Sequence, residues 1–296
     1  MTFKRFEKYL KPKVIAEIWC NHMWNMDIAK ELIKLAKEAW ADVIKLQKRD
    51  NKLLLTEKQY NSPHPVPANS YWKTYWEHRE FLELDLSQNK ELKEYCEEIW
   101  IEFSTSVWEL NSAKEIISLN PKMIKVPSAC NNNYEMLKEL RDNFDWEVQI
   151  SFWMTTKEEE AKVIDFFEET NQAKDRLVIY ACTSGYPVPT KDVALLEINN
   201  LYNKFEHRVK QIWFSGHHLG WSLDIAAYTL WAQVIERHFT KDKTWKWTDH
   251  WASLDPIEMH QLIWELNRTY EALNYKSEEI LDIEKVQREK LKNKKI

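Results

Sequence analysis

Apolar, β-branched runs alternate along the chain with stretches of a different period. Eight runs stand out: "VIAEIWC" (Val14–Cys20), "DVIKLQ" (Asp42–Gln47), "IEFSTSVW" (Ile101–Trp108), "MIKVPSAC" (Met123–Cys130), "EVQISFW" (Glu147–Trp153), "LVIYACTS" (Leu177–Ser184), "VKQIWFSGHH" (Val209–His218) and "QVIERHFT" (Gln233–Thr240). Between them, segments such as "MDIAKELIKLAKEA" and "TKEEEAKVIDFFEET" carry apolar residues three and four apart with charges in between, the mark of amphipathic helices. Strands alternating with helices predict βαβ units and a parallel sheet. Eight units within 296 residues predict an α/β protein of the closed (β/α)8, or TIM-barrel, type, with an open doubly wound sheet as the alternative.

The pattern sets the domain organisation as well. Residues 1–275 are expected to form the barrel and 276–296, ending in "VQREKLKNKKI", a basic helical or disordered tail. One connection, 49–84, is long and holds "NSPHPVPANSYWKTYWEHRE". Long loops in compact domains are usually functional or disordered. The aromatics in this one argue for a lid on the β2 side. In "DPIEMHQLIWELNRTYEAL", Asp255 is placed as an N-cap and Pro256 in the first turn of a last helix. No repeat or low-complexity segment appears beyond the alternation itself.

Composition narrows the classes. The chain is 44% hydrophobic and 30% charged, enough for one large core. A net charge of −5 lacks the basic excess of a nucleic-acid protein. No apolar stretch reaches the 18 residues of a membrane span, and "MTFKRFEKYLKPK" has no secretory h-region. Cys20, Cys96, Cys130 and Cys182 form no CxxC pair and read as reduced thiols of a cytoplasmic protein. The expected partners are therefore small molecules, with neither nucleic acid nor membrane. Two counts stand apart: three glycines, about 1% against a usual ~7%, and 16 tryptophans.

In such a barrel the chemistry gathers at the C-terminal ends of the strands. There the chain offers Glu17, Asn21 and His22; Lys45, Gln47, Lys48 and Arg49; Ser104, Thr105 and Ser106; Lys125 and Ser128; Thr183, Ser184 and Tyr186; Ser215, His217 and His218; Glu236 and His238, then Asp249 and His250. A single Lys or Glu in a strand is ordinarily half of a buried ion pair, and a single His a core residue. Here Glu17, Lys45, Lys125 and Glu236 all interrupt apolar strands. Isolated buried charges cost several kcal/mol, so these need one another or a charged ligand. Lys45 and Lys125 with nearby hydroxyls suit a phosphate or carboxylate. His217 and His238, on adjacent strands, could hold one divalent metal, with Glu17, Glu236 or Asp249 joining or orienting them.

At these residues the chain resembles the sialic acid synthase family, through "VIAEIWCNH", "DVIKLQKR", "FSTSVW", "IKVPSA", "CTSGYPVP", "FSGHHLG", "VIERHFTKD" and "TDHWASL", in order from about Lys13 to Leu273. The resemblance implies a cytoplasmic C–C bond-forming transferase that condenses phosphoenolpyruvate with an N-acetylated hexosamine, N-acetylmannosamine-like, to make a nonulosonic acid for surface polysaccharide. It implies Glu17 and Glu236 as catalytic carboxylates. Lys45, Thr105, Lys125, Ser128, Ser184 and Ser215 correspond to phosphoenolpyruvate binders, and Gln47, Tyr186 and Asp249 to residues that hold the sugar. His217 and His238 correspond to ligands of a divalent ion, Mn2+ first, Mg2+ or Co2+ next. A homodimer is implied too. A phosphorylated sugar or another aldehyde as acceptor is the alternative in the same fold; a catalytically inactive sugar-binding barrel is the alternative in a different class. The chain departs from the family at Gly185, where members commonly carry Asn, and at "SGHH", where "SDHT" is usual. Many members continue into an antifreeze-like domain that sends an arginine into the partner's sugar site. No such domain is expected after Ile296.

The same pattern leads one to expect glycine at Trp19, Trp24, Trp40, Trp72, Trp76, Trp100, Trp146, Trp153, Trp213, Trp231 and Trp247, each at a strand edge or turn. Trp108, Trp245 and Trp264 sit where an aromatic is natural. As genuine residues, Trp19 and Trp24 could serve as a sugar platform; Trp40, Trp100 and Trp146, ahead of strands, could not. Overpacking one site costs about 1–3 kcal/mol. Eleven such insertions exceed a total stability of about 5–15 kcal/mol. The other account is mistranslation: some bacterial lineages read UGA as glycine, and a table that reads it as tryptophan would replace only glycines using that codon. This accounts for both abnormal counts at once.

Overall fold

The computed structural model describes residues 9–19, 21–63, 70, 72–185, 187–245 and 248–292, with the side chains of 248 and 249 excepted. The eight strands are β1 (Lys13–Glu17), β2 (Val43–Lys48), β3 (Glu102–Val107), β4 (Met123–Val126), β5 (Glu147–Ser151), β6 (Leu177–Cys182), β7 (Gln211–Gly216) and β8 (Val234–His238). Each pairs in parallel with the next, and β8 closes on β1 with Glu17 opposite His238, giving a closed barrel. The principal helix after each strand is α1 (Met26–Glu38), α2 (Leu86–Glu98), α3 (Leu110–Ser118), α4 (Tyr134–Asn143), α5 (Lys157–Glu168), α6 (Glu197–Phe205), α7 (Ser222–Thr229) and α8 (Pro256–Ala272).

Period two sorts every strand into a helix-facing and an interior-facing set. Val14, Ala16, Ile44, Leu46, Phe103, Val107, Ile124 and Val126 join the large core beneath the helices. Ile15, Val43, Val178, Tyr180, Trp213 and Val234 form a separate cluster inside the barrel. Above that plug, two residues further along each strand, the interior set turns polar. This switch positions the site.

Several strands end earlier than the apolar runs. "MIKVPSAC" is strand only to Val126, since Pro127 has no N–H for the ladder, and Ser128–Cys130 forms a 3-10 turn. "FSGHH" leaves the sheet at Gly216. Among its described residues the long 49–84 connection contains three short helices, Asn51–Leu54, Glu57–Tyr60 and Tyr75–Leu82, the latter two started by capping boxes at Thr56 and Thr74. Stacked rings of Tyr60 and Trp76, 4.9 Å between centroids, tie two of them together. Asp255 caps α8 with a capping box to Glu258, and Pro256 opens its first turn. A helix at Asp282–Leu291 buries none of its residues. Among the described residues no helix is long and apolar enough to cross a membrane.

The tryptophans correct one expectation. Overpacking is not the general cost, because Trp24, Trp40, Trp72, Trp100 and Trp146 are each 48–85% exposed. The strain sits in the backbone. Trp24, Trp40, Trp100 and Trp231 have φ of 56°, 72°, 62° and 81°. A non-glycine residue in this left-handed region loses roughly 1–2 kcal/mol. Trp247 lies outside the described residues.

Candidate active site

The polar layer at the C-terminal mouth is built from one or two interior positions per strand. Lys45 on β2 reaches across to β1, β3 and β8: its Nζ pairs with Glu17 Oε2, lies 3.3 Å from Glu236 Oε1 and donates to Ser106 Oγ at 3.1 Å. Lys125 on β4 donates to the same Glu236 oxygen at 2.6 Å and lies 4.1 Å from the centre of the Tyr180 ring. Ser215 Oγ donates to that oxygen at 3.1 Å. Four charged groups from β1, β2, β4 and β8 thus form one connected network, all of it buried. Among the described residues Glu236 Oε2 has no hydrogen-bond partner.

The network splits its carboxylates. Burial pushes the Glu17 carboxyl up to about 7, opposed by Lys45 and helped by the charge of Glu236. Burial would raise Glu236 too, but Lys125 and Lys45 together overcome it and hold that group down at about 2. Lys125 is lowered, chiefly by burial. Lys45, despite its burial, is raised by the two carboxylates.

His217 and His238 face each other across the mouth with ring centroids 5.3 Å apart. Burial and the neighbouring lysines lower His217 to about 3, and burial with the His217 charge takes His238 well below the usual range. Both imidazoles are therefore neutral at neutral pH, the form that ligates metals. Among the described residues no group of three His, Cys, Asp or Glu side chains is set to hold a metal. The pair supplies two nitrogen donors and leaves further positions to water or substrate. Two imidazoles alone are ligands typical of Zn2+, Fe2+ or Ni2+, and a harder ion such as Mn2+ would need carboxylate or water oxygens beside them.

The cavity above this network is lined by Glu17, Lys45, Lys125, Ser215, His217 and His238, with Gln47, Ser106, Trp108, Ser128, Trp153, Cys182 and Ser184 around them; its volume is ≈ 100 Å³. Gln47 Oε1 accepts from Arg49 at 2.5 Å and from Trp108 Nε1 at 2.9 Å, and the residue lines the cavity. Arg49 itself is clamped between the Trp19 and Trp108 rings, 3.8 and 3.7 Å from their centroids. Ser128 Oγ accepts from the Trp153 backbone N–H at 2.8 Å.

The structure therefore gathers Glu17, Gln47, Lys45, Lys125, Ser128, Ser184, Ser215, His217, Glu236 and His238 at one mouth. Thr105 does not join them. On β3 the odd-numbered residues face the helices, so Thr105 points away from the interior and Ser106 supplies the hydroxyl beside Lys45. Counting inward from Lys45, which pairs with Ser104, gives that parity directly. Tyr186 lies outside the described residues, as does the side chain of Asp249, whose backbone is in the short helix Thr248–Ala252. Four residues of the broader set bond to groups outside the cavity lining. Asn21 bonds Phe239 O and Ser253. His22 Nδ1 accepts from the Trp24 N–H, His250 meets Thr240 at 2.7 Å, and His218 turns to Arg237 behind the barrel wall. Cys182, whose thiol burial pushes up to about 11, and Trp153 were not singled out as site residues from the strand pattern. Cys182 sits at the interior parity of β6, which is the signal that could have found it.

Comparison with known proteins places this arrangement. A sequence profile described as the NeuB family matches residues 32–278. The chain is 34% identical over 278 residues to N-acetylneuraminate-9-phosphate synthase of Homo sapiens, covering 94% of this chain and 76% of that protein. It is 34% identical over 255 residues to N,N'-diacetyllegionaminic acid synthase of Legionella pneumophila, covering 84% and 70%. Its fold matches the crystal structure of N-acetylneuraminic acid synthetase from Leptospira borgpetersenii, solved with citrate, at a TM-score of 0.81 and 22% identity over 96% of this chain and 94% of that one.

Proposed function

The chain belongs to the NeuB family, and on that premise we propose that it condenses phosphoenolpyruvate with an N-acetylated hexosamine, giving a nonulosonic acid and phosphate. The observation that supports this is the convergence of two buried ammoniums, two carboxylates and two neutral imidazoles in one cavity. Lys45 and Lys125 hold the phosphate and carboxylate of phosphoenolpyruvate, with Ser106, Ser128, Ser184 and Ser215 donating hydroxyls. Gln47, whose side-chain oxygen is already held by Arg49 and Trp108, donates its amide N–H2 to the sugar, and Tyr186 and Asp249 are its proposed companions. The enol carbon attacks the open-chain aldehyde carbon; a C–C bond forms as the carbonyl π bond breaks, and the aldehyde oxygen takes up the proton that the attacking water releases. Water adds to the resulting cation, and loss of the C–O bond to phosphate completes the reaction.

Glu17 is the group suited to accept the proton of that water, because its affinity for a proton lies near neutrality. Glu236 stays ionised and fixes the two ammoniums. A divalent ion, Mn2+ first, held by His217 and His238 supplies Lewis-acid polarisation of the aldehyde oxygen when bound. A cytoplasmic location and a homodimer belong to the same reading. The human relative, named for a 9-phosphate product, supports a phosphorylated hexosamine as the second reading of the acceptor.

The test is phosphate release with Mn2+, phosphoenolpyruvate and a panel of N-acetylated hexosamines, free and phosphorylated, on the chain as written and on its glycine counterpart. Metal-dependent release with one acceptor is expected. His217→Ala and His238→Ala should each lose the dependence on metal together with most activity. Absence of release from both chains with every sugar sinks the enzyme reading, and wild-type metal dependence in either His variant removes that residue as a ligand.

A further inference from the structure

Left-handed backbone is where the tryptophans of this chain tell most. Among the described residues nine non-glycines have positive φ, and four of them are Trp24, Trp40, Trp100 and Trp231. The largest side chain is a rare occupant of that region, where glycine is the default and asparagine the usual substitute. Three of the four occupy one motif. After α1, Trp40 N–H bonds Lys37 O at 2.9 Å and Ala41 N–H bonds Ala36 O at 2.9 Å. After α2, Trp100 N–H bonds Glu97 O at 3.2 Å and Ile101 N–H bonds Cys96 O at 3.0 Å. After α7, Trp231 N–H bonds Tyr228 O at 2.9 Å and Ala232 N–H bonds Ala227 O at 3.1 Å. Each is a Schellman cap, and each puts tryptophan at the residue after the cap, where glycine ends helices. The neighbouring helix α3 ends with Asn120, at φ 48°, in the corresponding place. Gly220, one of the three written glycines, has φ 69°.

Packing does not explain the exchange at the two most exposed caps, although Trp231 stacks on Tyr9 with ring centroids 4.5 Å apart. Trp40 is 55% and Trp100 85% exposed, so neither gains the burial that could offset its backbone. At the active-site mouth the same residue type has a functional cost. Trp153 lines a cavity of ≈ 100 Å³, whereas pockets for molecules of substrate size run to roughly 300–1,000 Å³. Trp153 uses its backbone N–H to hold Ser128, a bond that glycine keeps.

We propose that the functional protein carries glycine at positions 24, 40, 100 and 231, and at position 153, where removal of the indole opens the space the acceptor sugar enters. The first four positions stand on backbone geometry alone. Position 153 rests on the proposed reaction.

The deciding measurement is peptide mass spectrometry of the protein purified from the organism that encodes it. Peptides spanning the five positions should have the masses for glycine. Tryptophan masses at 24, 40, 100 and 231 overturn the proposal, and a tryptophan mass at 153 overturns its active-site part. A second measurement needs no native source. The double variant W40G/W100G, which removes the two most exposed of these indoles, should melt roughly 5–10 °C above the tryptophan protein. An unchanged or lower Tm counts against the backbone argument. In that background W153G should bind the acceptor, measured by calorimetry with the sugar identified in the phosphate-release panel, at least tenfold more tightly; equal binding counts against the opened cavity. Melting and mass do not depend on which reaction the barrel performs, so their outcome separates a failure here from a failure of the reaction.

Discussion

Replacing Lys125 by methionine should lower kcat/KM for phosphoenolpyruvate by about 10²–10³-fold, the loss typical of one preorganised electrostatic donor. The reasoning starts from the geometry of Glu236. Its Oε1 collects Lys125 at 2.6 Å, Ser215 at 3.1 Å and Lys45 at 3.3 Å. Removing Lys125 leaves the carboxylate with the other two, so the barrel should still fold, and methionine keeps the stem packed beside Tyr180. The substrate side is different. With Lys125 gone, one ammonium must serve both the phosphate and the carboxylate of phosphoenolpyruvate, and Lys45 is already committed to Glu17. The check pairs steady-state kinetics with thermal unfolding. Kinetics within threefold of the parent would remove Lys125 from the reaction, and a large fall in Tm with proportional loss of folded protein would assign it to structure instead.

The barrel was legible because period two and period 3.6 alternate cleanly along the chain, and each signal rests on burial that any sequence must satisfy. The strand ends were less so. At Pro127 and Gly216 the apolar run outlasts the ladder: past β7 His217 and His218 are still buried, whereas past β4 Pro127 and Ser128 are half-buried, Ala129 is exposed and only Cys130 returns to the core. Within the site, the buried charges identified themselves: Glu17, Lys45, Lys125 and Glu236 each break an apolar strand and each meets an opposite charge. Hydroxyls carry no such signal. Thr105 and Ser106 are equally compatible with a strand, and the register against Lys45 is what turns one outward and the other inward. His218 shows the same limit, since a second histidine beside a candidate ligand has the same composition whether it faces the mouth or the helix layer. The tryptophans reverse the usual order. Their misfit was visible as a pattern, but its physical form, strain in φ at exposed helix ends and not excess volume in the core, needed the backbone.

Behind the two imidazoles lies the buried pair on which the second large effect is expected. Arg237, between Glu236 and His238 on β8, faces outward and is fully buried. Its guanidinium pairs with the equally buried Asp224 on α7 and donates to Gly220 O at 2.7 Å and His218 O at 2.6 Å. One residue thereby pins the loop that follows β7, and with it the backbone beside His217. Gly216 belongs to the same packing, because a Cβ there would come within 2.9 Å of His218 and 3.0 Å of Asp224. Arg237→Met should destabilise by about 3–5 kcal/mol, the usual cost of leaving one buried charge unpaired, read as a fall in Tm of roughly 10 °C. Adding Asp224→Leu removes the stranded carboxylate and should recover most of that stability. It cannot restore donors to the carbonyls of residues 218 and 220, so the loop stays loosened and metal-dependent activity should remain depressed in the double variant. Chemical denaturation of the two variants separates the terms. An Arg237→Met protein within 1 kcal/mol of the parent would show that the pair with Asp224 does not hold the fold, and full activity in the double variant would show that the loop holds His217 without Arg237.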